Sequence, residues 1–275
     1  MDFFTNFFVA AVLAGTPLLF GILGEIINEK SGHLNLGVEG MMSIGACAGF
    51  MMGYKTDNLL LALAAAFAAG MLGALIYAVL TVTFMADQNV TGLTLTIFGI
   101  GLSNFFGDFV REKTGAASLK LPAGILDSLG KVDIPVLSDI PVLGKLFFNY
   151  NIFVYLGIVA AILCGIYLHR TKAGLNIRAV GENPAAADAA GLPVTRLKYM
   201  NLMLGGGICG IGGAYCSMII CNGVWISNCV NGLGWIAVAL VIFATWNPNK
   251  AVFAALVFGA FSVLKYYVPK SVIKI

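Results

Sequence analysis

Long apolar runs alternate with short polar breaks along most of the chain. The first run covers residues 3–27, with Pro17 near its middle and Glu25 near its end; Asn28, Glu29, Lys30, Ser31, Gly32 and His33 follow it. The second covers 34–54 and carries Asn35 and Glu39 among its early residues. The third, 59–86, holds no charge and stops at Asp87, Gln88 and Asn89; the fourth, 90–110, contains Asn104 and Asp108. A fifth run spans 152–168, and a last one 251–268. Residues 199–249 between them contain no charged residue. That length fits one helix, a broken or re-entrant piece around 221–231, and a second helix ending at Trp246. A membrane-crossing helix needs about 20 mostly apolar residues. The pattern predicts an all-α integral membrane protein of about eight transmembrane segments, with broken or re-entrant helices, forming a single transmembrane domain over residues 1–275.

Two stretches are of another kind. Residues 111–150 mix Lys, Asp, Pro and Gly, and their apolar patches, such as 134–137, are too short to span; they read as an extramembrane loop. Residues 169–198 form the second long polar stretch. One span separates the two, so they face opposite sides. The second carries Arg170, Lys172, Arg178, Arg196 and Lys198, which argues for the cytoplasm, but the first carries Arg111, Lys113, Lys120, Lys131 and Lys145. Charge alone leaves the orientation open.

Composition supports the membrane reading. Hydrophobic residues make up 59% of the 275 positions and charged residues 11%, with mean hydropathy +0.92. Soluble domains carry about 25% charged residues. The 34 glycines suit close helix approach in lipid, where burial of apolar surface does not drive association. A net charge of +3 without a basic stripe gives no sign of nucleic acid. The six cysteines, Cys47, Cys164, Cys209, Cys216, Cys221 and Cys229, show no metal-ligand spacing and read as buried thiols, with Cys221 and Cys229 close enough in sequence to pair. The start of the chain lacks a basic region and reads as a retained helix rather than a cleaved signal. Gly205-Gly-Gly-Ile-Cys-Gly210 satisfies a dinucleotide pattern, but inside an uncharged membrane run it reads as a packing face. His33 and His169 are too few and too far apart for a metal or Ser-His site, and the chain has no phosphate-binding loop of the Gly-x-x-x-x-Gly-Lys-Ser/Thr type.

The most informative stretch is Ala179-Val-Gly-Glu-Asn-Pro-Ala-Ala-Ala-Asp-Ala-Ala-Gly-Leu-Pro193. Asn183 suits an N-cap and Pro184 the first helical position. Ala185 to Ala190, interrupted by Asp188, favour helix; Gly191 fits the left-handed terminus and Pro193 stops continuation. The result is a helix of about two turns, too short to be stable alone. It is either an ordinary capped loop helix on its own protein or a smooth Ala face made to enter a partner's groove.

These residues carry a resemblance. Arg178-Ala-Val-Gly-Glu-Asn-Pro-Ala-Ala-Ala, followed by Ala190-Gly-Leu-Pro-Val and preceded by Arg170-Thr-Lys-Ala-Gly, is similar to the cytoplasmic coupling segment of ABC importer permeases of the ribose and branched-chain amino acid type. Gly24-Glu-Ile-Ile-Asn-Glu-Lys-Ser-Gly-His-Leu-Asn-Leu-Gly-Val-Glu-Gly-Met-Met-Ser-Ile-Gly-Ala46 resembles the nucleoside permeases that work with a basic-membrane-protein type lipoprotein. Phe243-Ala-Thr-Trp-Asn-Pro248 resembles that branch's late cytoplasmic turn. The resemblance implies a bacterial plasma-membrane permease moving nucleosides by alternating access. It further implies a separate ABC ATPase holding ATP and Mg, a second permease in a heterodimer, and an extracytoplasmic substrate-binding lipoprotein. This chain itself would bind no cofactor and no metal and catalyse no reaction. Gly181, Glu182, Asn183, Pro184, Ala185, Ala186, Ala187 and Asp188 would dock on the ATPase. Such permeases usually carry a further C-terminal helix, expected to be missing here.

Candidate pathway residues are Asn35, Glu39, Asn89, Thr94, Trp225 and Asn231. Gly32, Asn35, Gly37 and Gly40 would allow a broken helix, with Asn35 capping its resumption and Glu39 favoured near its first turn. A carboxylate at this depth either meets substrate or holds backbone amides at the break. Asn222, Trp225, Asn228, Asn231 and Trp235 are able to stack on and hydrogen-bond a nucleobase, or to form an interfacial aromatic belt. The alternatives are a sugar or amino-acid permease of the same architecture, or a secondary transporter or channel coupled through Glu39 and Asp108. An intramembrane enzyme lacks a nucleophile–base pair.

Overall fold

A computed structural model describes residues 2–131, 146 and 148–267. It is helical nearly throughout: α1 (Asp2–Lys30), α2 (Val38–Thr56), α3 (Leu59–Ala78), α4 (Gln88–Thr114), α5 (Ala123–Ser128), α6 (Ile152–Arg170), α7 (Lys172–Glu182), α8 (Pro184–Ala189), α9 (Val194–Tyr215), α10 (Leu233–Phe243) and α11 (Pro248–Tyr267). Wider π turns, Val79–Thr83 and Cys216–Ile220, prolong α3 and α9. Among the described residues the only extended pairings are isolated bridges, Lys120 with Val224 and Lys131 with Asn151. The apolar patch 134–137, much of the 111–150 loop, and the chain after Tyr267 lie outside the described residues.

Among the described residues six helices are long and apolar enough to cross a membrane: α1, α3, α4, α6, α9 and α11, with their π extensions. The hydrophobic pattern suggested about eight segments, and the difference falls on α2 and α10. Helix α2 lies among α3, α4, α9 and α10 and is buried along most of its length. A helix enclosed by other helices needs no lipid-compatible surface, so α2 carries Glu39, Ser43 and several glycines. Helix α10 has 11 residues, roughly 16 Å at 1.5 Å per residue, about half the hydrocarbon thickness. The piece expected to re-enter the membrane, 221–231, holds no helix. It is a run of turns with Asn222, Gly223, Asn228 and Asn231 in the left-handed region. Two bonds tie it to the chain before α5: Leu121 N–H donates to the Gly223 carbonyl at 2.8 Å, and Trp225 N–H to that of Leu119 at 2.9 Å.

Helix α1 runs through the centre. Pro17 has no amide to donate, which frees the Leu13 carbonyl one turn earlier. The Tyr215 hydroxyl donates to that carbonyl at 2.8 Å, so the break in the α1 ladder becomes a cross-link to α9. Small residues set the approach of α9 to its neighbours. A Cβ on Gly206 would meet Ala74 and Gly70, one on Gly210 the Ala66 carbonyl, and one on Gly45 the Gly210 backbone. The glycine run read as a packing face is one. The tightest of these approaches is Gly213, where a Cβ would run into the Met42 carbonyl. Gly213→Ala is expected to destabilise by about 1–3 kcal/mol, measured as a lower unfolding temperature in detergent. An unchanged temperature would mean that the α2 backbone yields.

Candidate functional site

Two regions hold the chemistry, one on the surface and one buried beside it. The surface region starts at Thr171, whose hydroxyl accepts from Gly174 N–H at 3.0 Å and caps α7. Helix α7 ends at Asn183, which then caps α8: its side-chain oxygen accepts from Ala186 N–H at 3.0 Å, and its carbonyl from Ala187 N–H at 3.0 Å. Pro184 takes the first helical position. At the far end Gly191, at φ 81°, closes the turn: its N–H donates to Asp188 and that of Leu192 to Ala187. The start and stop signals in the sequence are realised one for one. Ala187 is buried, whereas Glu182, Asn183, Pro184, Ala185, Ala186 and Asp188 are exposed. Helix α8 therefore holds on to its own protein by one side chain and presents the rest outward.

Gly181 fixes this loop to α1. A Cβ there would run into the Lys30 carbonyl, and Gly32, at φ 86°, lies directly opposite. On the same end of α1, Glu29 accepts from the Trp246 indole N–H. Thr245 and Trp246 are both left-handed, in the turn between α10 and α11. Glu29, Lys30, Arg178, Gly181, Glu182 and Trp246 line an open polar cleft of about 420 Å³. The end of α1 is thus held between α7 and the α10–α11 turn.

Behind it lies the buried break, residues 31–37 between α1 and α2. Irregular backbone inside a membrane protein needs internal partners, and here side chains from three helices supply them. Glu25 accepts from Asn35 N–H at 2.7 Å and from the Asn28 amide at 2.9 Å. The Tyr77 hydroxyl donates to the Leu34 carbonyl at 2.7 Å, and that of Thr96 to the Leu36 carbonyl at 2.9 Å. Gln88 accepts from Leu34 N–H at 2.9 Å. Ser31 and His33 close a turn on the Asn28 carbonyl. Burial pushes the His33 imidazole down to about 4, with the Lys198 charge acting the same way, so the ring is neutral.

Asn35 does not cap α2 directly. Its side-chain oxygen accepts from Gly37 N–H at 2.9 Å, forming a turn just ahead of the helix. Glu39 stands in the first turn of α2, but its carboxylate serves a different helix. One oxygen accepts from Gly232 N–H at 2.7 Å and the other from Gly234 N–H at 2.6 Å. These are free amides at the start of α10, where a negative charge is also favoured by the helix dipole. Gly234 permits the approach, since a Cβ there would strike the Glu39 backbone at 2.5 Å. Glu39 thus locks the half-length helix α10 onto α2.

The six pathway residues are not gathered into one cavity of this chain. Asn35, Glu39 and Trp225 are buried; Asn89, Thr94 and Asn231 are exposed. Trp225 packs on Phe50, ring centroids 5.4 Å apart, and over the bare backbone of Gly107. The Thr94 hydroxyl bonds the Val90 carbonyl of its own helix. Sequence reasoning passed over Glu25, Tyr77 and Gln88 as partners of the break. Glu25 carried the available signal, a carboxylate inside an apolar run; Tyr77 and Gln88 gave none, since their partners lie far away in sequence. Among the described residues no cluster of three or more His, Cys, Asp or Glu is placed to hold a metal ion.

Comparison with known proteins places this architecture. The model of the family described as the branched-chain amino acid transport system permease component matches residues 7–273. The chain is 38% identical to a putative glucose ABC transporter permease protein of Haloferax volcanii, over 96% of this chain and 78% of that one. It is 36% identical to a guanosine ABC transporter permease protein of Bacillus subtilis, over 91% and 78%. It is 33% identical to a nucleoside ABC transporter permease protein of Lactococcus lactis subsp. cremoris, over 92% and 80%. No solved structure matches. With a family match across nearly its whole length and a bundle of six membrane-length helices, the chain belongs to the ABC transporter permeases of the branched-chain amino acid transport system permease family.

Proposed function

We propose that this chain is the membrane-spanning permease of an ATP-driven importer of nucleosides in a bacterial cytoplasmic membrane. The observation that supports the substrate class is that a guanosine permease and a nucleoside permease are 36% and 33% identical to it across more than nine-tenths of its length. The loop at 169–198 faces the cytoplasm in this reading and that at 111–150 the outside. A separate ATPase holds ATP and Mg. Its closure moves Glu182, Asn183, Pro184, Ala185, Ala186 and Asp188 on the outward surface of α8, with Ala187 as the internal anchor. A second, different permease completes the enclosure, and a lipoprotein delivers substrate from outside.

The packing offers a route for that motion. Gly181 bears on Lys30 and Gly32, and the break they begin is bonded to Glu25, Tyr77 and Thr96. Helix α2 resumes after the break, and Glu39 joins it to the start of α10. A push on the loop therefore reaches the beginning of α10 through a break that hydrogen bonds tie to α1, α3 and α4. In this reading Asn35 and Glu39 shape the path from behind, Asn89, Thr94 and Asn231 face it, their exposure supporting that role, and Trp225 supports the outer segment.

The putative glucose permease relative favours a second reading, a sugar permease. Uptake of labelled guanosine into cells, challenged with unlabelled nucleosides, glucose, ribose and branched-chain amino acids, separates the two. Nucleosides are expected to compete and the others not. Competition by glucose alone would move the assignment to sugars.

A further inference from the structure

We propose that the groove between α6 and α11 binds one anionic phospholipid, its phosphate held at the α7 end and an acyl chain laid along the groove. This goes beyond the transport reading and does not depend on the substrate or on the ATPase. A polar cavity of about 320 Å³ lies between α6 and α11, lined by Ile162, Gly165, Ile166, His169, Arg170, Asn247 and Asn249. A second, almost wholly apolar one of about 220 Å³ is walled by α6 and α11 and also by α1, through Val12, Gly15 and Leu19, and reaches Tyr150 ahead of α6. On α6, Ile158 precedes Ile162 by four residues; on α11, Val252 follows Asn249 by three, so the nearer walls of the two cavities share a helix face.

The two ends differ as the two parts of a phospholipid differ. At the polar end Arg170 is the last residue of α6, exposed, where an apolar span meets polar sequence. It takes part in no ion pair among the described residues, where the one salt bridge is Arg111 with Asp108. A guanidinium is suited to two-point binding of phosphate oxygens. His169 is fixed by its Nδ1 hydrogen bond to the Gly165 carbonyl at 3.0 Å. Gly165 also lets the Asn249 side chain come close, its Oδ1 lying 3.0 Å from where a Cβ would stand. The polar end therefore combines a free cation with hydrogen-bonding side chains, and no carboxylate lines it. From there Ile166, Ile162 and Ile158 form an exposed apolar stripe along α6, and Phe253 and Val257 are exposed on α11, both lipid-length helices. A soluble phosphate would use the polar cavity alone; a zwitterionic lipid would set the same phosphate on Arg170 but bring a cation of its own beside that guanidinium.

Thermal unfolding of the detergent-purified full chain tests this, with added phosphatidylglycerol, phosphatidylcholine or inorganic phosphate. Phosphatidylglycerol is expected to raise the unfolding midpoint above the other two. Arg170→Gln is expected to remove that excess, and Lys113→Gln, at the opposite end of the bundle, to keep it. Equal stabilisation by phosphatidylcholine, reproduction of the shift by inorganic phosphate alone, or an excess that survives Arg170→Gln would each overturn the proposal. Should Arg170→Gln fail to fold, native mass spectrometry of the unaltered chain decides. Retained phosphatidylglycerol in preference to phosphatidylcholine supports the site, and equal retention overturns it.

Discussion

Ala186→Arg is expected to abolish ATP-driven uptake while leaving the chain folded and inserted. Arg is nearly as good a helix former as Ala. Position 186 is exposed, and its contribution to α8 is a backbone amide bonded to Asn183, which the substitution preserves. The helix should therefore persist. What changes is the outward surface, which gains a long charged side chain where a methyl stood. A groove shaped for alanines would have to open to admit it or lose contact. Loss of uptake by roughly tenfold or more corresponds to about 1.4 kcal/mol or more of coupling lost from the transport step. The check pairs substrate uptake with the unfolding temperature. Wild-type uptake from a well-inserted variant would remove α8 from the docking surface.

Glu39→Gln is expected to loosen α10 and to slow uptake. The carboxylate gives one oxygen to Gly232 N–H and the other to Gly234 N–H. A glutamine keeps one acceptor and turns an NH2 toward the second amide, which is then left without a partner. A buried unsatisfied donor costs about 1–3 kcal/mol. The favourable contact of the negative charge with the start of α10 disappears as well, worth about 0.3–1 kcal/mol. Cys229 lies three residues before Gly232 and is half-buried, so it reports the looseness. Faster thiol labelling at Cys229, a lower unfolding temperature and reduced uptake are expected together. A variant with wild-type labelling and uptake would show that other contacts hold α10 in place.

The parts of the structure legible in the sequence were those written locally. Helix α8 was read from its caps, because Asn183, Pro184 and Gly191 act on amides and carbonyls within a few residues. The glycine run of α9 was read as a packing face for the same reason: inside an uncharged run, small side chains have little else to do. The membrane-length helices were read from length and hydropathy. The parts not legible were those decided by distant partners. The local sequence puts Glu39 near its own helix start and leaves substrate and backbone both open to it; its partners, Gly232 and Gly234, lie 193 and 195 residues away. The break at 31–37 was visible as a polar gap, but not that Tyr77, Gln88 and Thr96 would satisfy it. Trp225 was weighed as a stacking surface for a base or part of an aromatic belt, and the structure seats it against Phe50 and Gly107. Helix α2 weakened the count of membrane segments because enclosure by its neighbours relaxes the demand for an apolar surface.

The proposed ATP-driven assembly is tested by co-purification from the native membrane in mild detergent, with mass-spectrometric identification of what accompanies the chain. It predicts an ABC ATPase, a second permease and a substrate-binding lipoprotein, together with uptake that requires ATP. Reproducible recovery of the chain alone, still transporting without ATP, would contradict it and turn attention to Glu39 and Asp108 as ion-coupling groups.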